Sequence, residues 1–89
     1  MRIINNKDFP APAAEKFFEI NALELAIELY GQASLLADAV GNKSALAAVL
    51  GYIRAIADAA ENMANGARVL RAVDRQGRVF YAVADQGGR

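Results

Sequence analysis

The segment from Ala45 to Asn65 has large apolar residues along one side only. These residues recur at alternating intervals of three and four: Leu46, Val49, Ile53, Ile56, Ala60 and Met63. This spacing is typical of a helix with a single buried seam. Polar or small residues occupy the opposite side: Gly51, Arg54, Asp58, Glu61 and Asn62. We therefore predict an amphipathic helix from Ala45 to about Asn65, with Ser44 as its N-cap and Gly66 just past its end.

The preceding segment, from Asn21 to Val40, is apolar on two sides. One stripe consists of Phe18, Ala22, Leu25, Leu29, Leu36 and Val40, and a second, roughly opposite, consists of Ile20, Leu23, Ile27 and Tyr30. Gly41 is expected to end this helix in a left-handed conformation, and the short turn at 42–44 then forces the two helices into an antiparallel hairpin. The second helix covers only one stripe. The other must be covered by the C-terminal strands or by a second chain, and the sequence does not choose between them.

The start of the first helix has two interpretations. In one, Pro12 occupies the first helical position and Glu15 lies in the first turn. In the other, residues 16–20 are extended and Asn21 with Glu24 forms a capping box. Further towards the N-terminus, Arg2-Ile3-Ile4 reads as a short extended piece that would add one strand to the fold.

After Gly66 the pattern changes from helical to alternating. Residues 67–73 and 78–83 flank Asp74-Arg75-Gln76-Gly77, which predicts a β-hairpin with Gly77 at a position of positive φ. One face of the hairpin would carry Val69, Arg71, Val73, Val79, Tyr81 and Val83, and the other would carry Leu70, Ala72, Phe80 and Ala82. The predicted fold class is α+β and predominantly helical: an antiparallel two-helix hairpin followed by a C-terminal β-hairpin, with a short N-terminal strand as an optional addition. We divide the single domain, 1–89, into an extended arm (1–13), the helical hairpin (14–65), the β-hairpin (67–84) and a polar tail (85–89).

Composition narrows the chemistry. The 89 residues contain no Cys, no His and no Trp, which excludes disulfides, thiol or imidazole catalysis and zinc fingers. We expect no cofactor, no resident metal and no enzymatic activity. No uninterrupted run of apolar residues approaches the length of a membrane span, and the N-terminus lacks the apolar region of a secretory signal. We therefore expect a cytoplasmic protein without a membrane partner.

The charges sum to zero but are unevenly placed. Residues 8–61 are mainly acidic, whereas residues 62–89 hold five of the arginines against Asp74 and Asp85. Arginines interleaved with aromatic residues are able to grip phosphates and stack on bases. A small nucleic-acid-binding regulator that uses Arg68, Arg71, Arg75 and Arg78 beside Phe80 and Tyr81 is therefore one alternative function, although arginines on a hairpin edge also serve to prevent edge-to-edge pairing.

Four acidic residues are the other candidate for chemistry. Glu24 and Glu28 on the first helix would lie level with Asp58 and Glu61 on the second. Carboxylates that face each other on neighbouring helices are how Mg²⁺-dependent helical nucleotide hydrolases bind their metal ions, which gives a second alternative function. The helical wheel, however, turns Asp58 away from the apolar seam, which favours a solvated acidic surface.

The principal hypothesis is a small non-enzymatic protein-protein interaction module that forms a homodimer. An adaptor, or an inhibitor or regulator of a larger bacterial or phage machine, fits such a chain, and the residues identify neither the partner nor the process. The residues expected to contact the partner are Arg71, Arg75, Arg78, Tyr81, Glu24 and Glu28. Those expected to mediate self-association are Ile20, Leu23, Ile27 and Tyr30.

Overall fold

A computed structural model describes residues 2–3, 16–73 and 79–84 of the chain. Its elements in chain order are β1 (Arg2–Ile3), β2 (Lys16–Glu19), α1 (Ala22–Ala39), α2 (Lys43–Ala64), β3 (Val69–Val73) and β4 (Val79–Val83). The strands form one antiparallel sheet in the order β1-β4-β3-β2. This confirms the predicted α+β class, with a helical hairpin followed by a β-hairpin and a short N-terminal strand.

The first helix begins at a capping box, as the second interpretation of residues 14–20 requires. The Asn21 side-chain oxygen accepts a hydrogen bond from the Glu24 backbone N–H at 2.8 Å, and the Glu24 carboxylate accepts one from the Asn21 N–H at 2.9 Å. This exchange satisfies two N–H groups that would otherwise lack partners at the helix start. The helical hairpin therefore starts at Ala22 and not at residue 14, and Lys16–Glu19 joins the sheet as β2.

The turn between the helices is tighter than predicted. Asn42, not Ser44, is the N-cap of α2, since its side-chain oxygen accepts a hydrogen bond from Ala45 N–H at 3.1 Å. The left-handed conformation expected at Gly41 is also wrong: α1 ends on Val40 in the right-handed region (φ −59°, ψ −32°). Because the Asn42 side chain reaches the first free N–H groups of α2, the new helix begins one residue after it and Ser44 lies inside the first turn.

The end of α2 agrees with the sequence prediction. Gly66 adopts φ 88°, and no other glycine among the described residues has a positive φ. The N–H of Gly66 donates to Met63 O at 3.0 Å and that of Ala67 donates to Asn62 O at 2.9 Å, which is the Schellman arrangement. The chain is thereby turned from α2 into β3.

The core lies between α2 and the β-hairpin. Helix α2 packs on β4 and β3, and α1 packs on α2. The largest cluster of buried side chains comprises Ile20, Leu25, Ala55, Ile56, Ala59, Val69, Tyr81 and Val83. The strand register pairs Val69 with Val83, Arg71 with Tyr81 and Val73 with Val79, which confirms the predicted division of the hairpin into two faces. The valine face is occupied by α2, so little of it is left for α1.

Candidate protein-interaction surface

One side of α1 is apolar and open to solvent. Leu23, Ile27 and Tyr30, which we call the α1 flank, are 70 %, 62 % and 76 % exposed. They are spaced four and three residues apart and therefore lie in one row along the helix. Ile20, which the sequence placed in the same stripe, is only 9 % exposed and belongs to the core. The stripe is thus three residues long on the surface, and the β-hairpin of the same chain does not cover it.

A polar bridge explains how α1 is attached to the sheet. The buried Tyr81 hydroxyl donates a hydrogen bond to Glu28 Oε1. Arg71 Nε lies 2.8 Å from Glu28 Oε2, close enough for an ion pair, although its N–H does not point at the oxygen. Glu28 is on α1, Arg71 on β3 and Tyr81 on β4, so this group ties the helix to both central strands. The C-terminal strands, one of the two coverings that the sequence left open for the second stripe, therefore contact α1 here through polar groups.

Tyr52 completes this bridge from α2. Its ring meets the ring of Tyr81 edge-on, with centroids 6.1 Å apart and planes at 64°. Burial raises the pKa of the Tyr81 hydroxyl, and the hydrogen bond to Glu28 raises it further. Burial likewise raises the pKa of Tyr52. Both phenols therefore stay neutral at physiological pH, and Tyr81 acts as a hydrogen-bond donor that holds the Glu28 carboxylate.

An open cleft separates α1 from β2. Its lining combines apolar and charged side chains: Phe18, Glu19, Ile20, Glu24, Ile27, Glu28 and Arg71. Phe18 and Ile27 share this cleft, which shows that the α1 flank and the edge strand lie on the same side of the molecule. Phe17 and Phe18 are 40 % and 53 % exposed, so apolar surface continues from the helix onto β2.

The other apolar stripe of α1 is only partly covered by α2. Leu25 is buried, whereas Leu29 and Val40 are 41 % and 66 % exposed. A shallow groove between the helices, which we call the interhelix groove, is lined by Ala22, Leu25, Ala26, Leu29, Ile56, Ala60, Met63 and Ala64. Helix α1 is therefore apolar on two sides, as the spacing of its residues predicted, and both sides are accessible, although the sequence predicted that α2 would cover one of them.

The residues predicted to contact a partner have different outcomes. Tyr81 is 0 % exposed and supports the surface from below instead of forming it. Arg71 and Glu28 form the ion pair described above, and Glu24 caps α1 at the mouth of the cleft. Arg75 and Arg78 fall outside the described residues, as does the turn at Gly77.

The nucleic-acid alternative gains no support from the arginines that are described. Arg68 is bound to Glu19, with Nη2 2.9 Å from Oε1, and Arg71 is bound to Glu28. Each of these guanidinium groups already has a carboxylate partner within the chain. Phosphate contact by the hairpin stays a prediction that depends on Arg75 and Arg78.

The four acidic residues do not assemble into a metal site. Glu28 is bound to Arg71, and the Asp58 carboxylate accepts a hydrogen bond from Asn62 Nδ2 at 3.1 Å. Across residues 16–73 and 79–84 no three acidic side chains are grouped closely enough to hold a metal ion. The Mg²⁺-dependent alternative therefore has no geometry behind it in this part of the chain.

Sequence reasoning left one part of this surface open and missed another. It gave residues 16–20 as extended in one of two interpretations, on the signal of the capping box at Asn21, but it did not place them at the edge of the sheet. Tyr52 was missed, because it is one residue from the apolar seam of α2 and nothing local indicates its contact with Tyr81.

Comparisons with family models, with curated proteins and with solved structures found no match for this chain. In the described part of the chain, neither helix has the length and apolar character needed to cross a membrane.

Proposed function

We propose that this chain is a non-enzymatic protein-interaction module that acts as a cytoplasmic homodimer, with the α1 flank in the contact. The observation that carries the proposal is the exposure of Leu23, Ile27 and Tyr30 in one row. Burial of one such side chain is worth about 1.5–3 kcal/mol. Contiguous apolar residues rimmed by charged ones are typical of protein-protein contacts.

A second copy is a natural occupant of this row. Residues 23, 27 and 30 form a strip of large apolar side chains without a charge, so the strip of one copy is able to pack on that of another in antiparallel orientation. Such a contact is isologous and closes by two-fold symmetry. The Glu24 and Glu28 side chains beside the strip remain at its rim, where the bridge to Arg71 already holds one of them.

Light scattering coupled to gel filtration tests the homodimer. We expect the wild-type chain to have twice the mass of 9.5 kDa at micromolar concentration and Ile27→Lys to weaken the dimer by at least about tenfold, because a charge would be buried in the contact. Lysine preserves helix propensity at this position. Val40→Lys is the matched control, since Val40 is 66 % exposed at the far end of the same helix and should leave the dimer intact. A wild-type mass of 9.5 kDa at all concentrations would reject the homodimer.

The adaptor or regulator role requires a further surface for the larger protein partner. We propose the interhelix groove, because it is apolar and half of its lining comes from α2, which contributes nothing to the α1 flank. Affinity capture from host lysate with wild-type protein and with Ala60→Arg, a change on the α2 side of the groove, tests this assignment. A protein retained by wild type and lost from the variant, with both baits dimeric, supports it, whereas equal recovery on both baits rejects the groove.

A further inference from the structure

We infer that two copies of this chain pair along β2, so that their sheets join into one continuous antiparallel sheet with Phe18 at the two-fold axis. This inference rests on the proposed homodimer and specifies its geometry. It combines two surfaces that one neighbour can cover at the same time: the α1 flank and the edge of the sheet.

The edge strand is the first observation. Strand β2 is at the end of the sheet order, and among the described residues no strand pairs with its outer edge. An unprotected edge with two exposed phenylalanines is a template for pairing with another strand. Strand β2 has charged residues only at its two ends, Lys16 and Glu19, whereas the exposed Phe17 and Phe18 lie at its centre.

The alternation of hydrogen-bonded and non-hydrogen-bonded pairs between β2 and β3 shows which backbone groups of β2 are free to bond a second strand. Ile20 N–H donates to Val69 O at 3.1 Å, so this is a hydrogen-bonded pair of the β2–β3 ladder. Bonded pairs alternate in an antiparallel ladder, and therefore Phe18 with Arg71 and Lys16 with Val73 are also bonded pairs. The backbone N–H and C=O groups of Phe17 and Glu19 consequently point outward from the sheet.

Symmetry requires one residue of β2 to lie opposite its own copy, and the candidates are its two uncharged residues, Phe17 and Phe18, because like charges placed directly opposite are unfavourable. A two-fold axis perpendicular to the sheet keeps the helices of both copies on the same face, and it must pass beside a residue that is opposite its own copy. With Phe17 at the axis, only the Phe17 pair exchanges backbone hydrogen bonds within β2, because Glu19 would be opposite position 15, which lies outside the strand. With Phe18 at the axis, Phe17 is opposite Glu19 in both directions, and each of these two pairs exchanges two backbone hydrogen bonds. The second register uses all the outward groups of β2 without a charge conflict.

The same register brings the two α1 flanks together. Phe18 lies on the helix-bearing face, since it lines the cleft with Ile27 and Arg71. Two copies related through Phe18 therefore place both clefts side by side, with the flanks above the joined strands. The exposed parts of Phe18, Leu23, Ile27 and Tyr30 amount to something on the order of 400 Å², about half of what a standard interface buries per partner. Strand pairing along β2 provides further contact area that the helix flank lacks by itself.

Single cysteines test the register, because the chain has no native cysteine. At the axis the two copies of Phe18 form a non-hydrogen-bonded pair with Cα atoms about 4.5 Å apart, within disulfide range. The two copies of Phe17 are diagonal neighbours about 7–8 Å apart, beyond that range. Under mild oxidation we expect Phe18→Cys to become mostly disulfide-linked dimer on a non-reducing gel and Phe17→Cys to remain mostly unlinked. The reverse pattern, or linking of neither variant while the protein remains dimeric, would overturn the Phe18 register.

A proline variant tests the edge independently. The N–H of Phe17 points outward, so Phe17→Pro removes a donor of the proposed dimer but none of the β2–β3 ladder, and an edge strand tolerates proline at such a position. Phe17→Ala is the matched control, because it removes the ring and keeps the N–H. We expect the dimer of Phe17→Pro to dissociate at a concentration at least about tenfold higher than that of Phe17→Ala. Equal dissociation constants would reject strand pairing and leave a dimer through the α1 flank, whereas a monomeric wild-type protein would reject both.

Discussion

The two helices of this protein are partners in one hairpin but have opposite relations to the core. Helix α2 contains four charged residues, yet it buries Val49, Ala55, Ile56 and Ala59. Helix α1 is richer in large apolar residues and buries only Leu25 and Ala39. The more apolar helix is thus the more exposed one, which is the reverse of what burial of a single chain would favour.

The difference follows from what each helix rests on. Helix α2 lies on the valine face of the β-hairpin and contacts α1 on its other side. Helix α1 reaches the sheet mainly through the bridge from Glu28 to Arg71 and Tyr81. A polar bridge fixes the position of a helix without covering its apolar sides. The comparison teaches that α2 provides the stability of the monomer and α1 presents the surface.

Removing one large side chain from each helix should separate these roles most strongly. Ile56 is 3 % exposed and Ile27 is 62 % exposed, so the same change to alanine is made in the core and on the flank. We expect Ile56→Ala to lower the free energy of unfolding by about 2–5 kcal/mol. Ile27→Ala should change it by less than about 0.5 kcal/mol when measured below the concentration at which dimers form. Urea denaturation followed by circular dichroism measures both, and equal losses would contradict the division between the helices.

The polar bridge should account for the next largest effect. Tyr81→Phe leaves the Glu28 carboxylate without its buried donor, and we expect a loss of about 1–3 kcal/mol. A double-mutant cycle with Glu28→Gln isolates the pair, because the two losses should fall short of additivity if the groups interact. Strict additivity would show that the bridge does not hold α1 to the sheet.

The same tyrosine predicts a loss of stability in alkali. The pKa of Tyr81 is raised in the folded state, so above about pH 10, the ordinary value, the unfolded chain releases this proton first. Its contribution is complete below that pH and declines as the pH rises, by up to about 1.4 kcal/mol for each pH unit. Unfolding of wild type and Tyr81→Phe compared from pH 8 to pH 11 checks this. The variant should lose less stability over that interval, and parallel curves would contradict the assignment.

The helix caps should give the smallest difference. Asn21 caps α1 and Asn42 caps α2 through the same side-chain oxygen contact. Each change to alanine should cost about 1 kcal/mol in stability. The effects should differ in kind, since α1 has less packing to hold its first turn. Amide hydrogen exchange should show local opening of the first turn of α1 in Asn21→Ala, with only global destabilisation in Asn42→Ala; local opening at both ends would contradict the contrast.

Much of the fold follows from residues close in sequence. The intrinsic periods of helix and strand are visible in the sequence. They predict the apolar seam of α2 and the alternation in 69–73 and 79–83, and Gly66 marks the boundary between them. The capping box at Asn21 is likewise a local signal. The turn at Gly41 was misread because both a glycine cap and an asparagine cap were available within three residues, and the choice depended on where α2 begins.

The placement of α1 depended on tertiary structure. The sequence by itself showed that this helix is apolar on two sides, and no local rule indicated which side would be covered. The outcome depends on Tyr81, which lies 53 residues from Glu28 along the chain and meets it across the sheet. It also depends on Ile20, which was predicted to lie in the second stripe. Because Lys16–Glu19 form a strand, Ile20 precedes the helix and is buried in the core. Periodicity is a property of neighbouring residues, whereas the exposure of the α1 flank results from how helix, bridge and sheet share the limited apolar surface of a small domain.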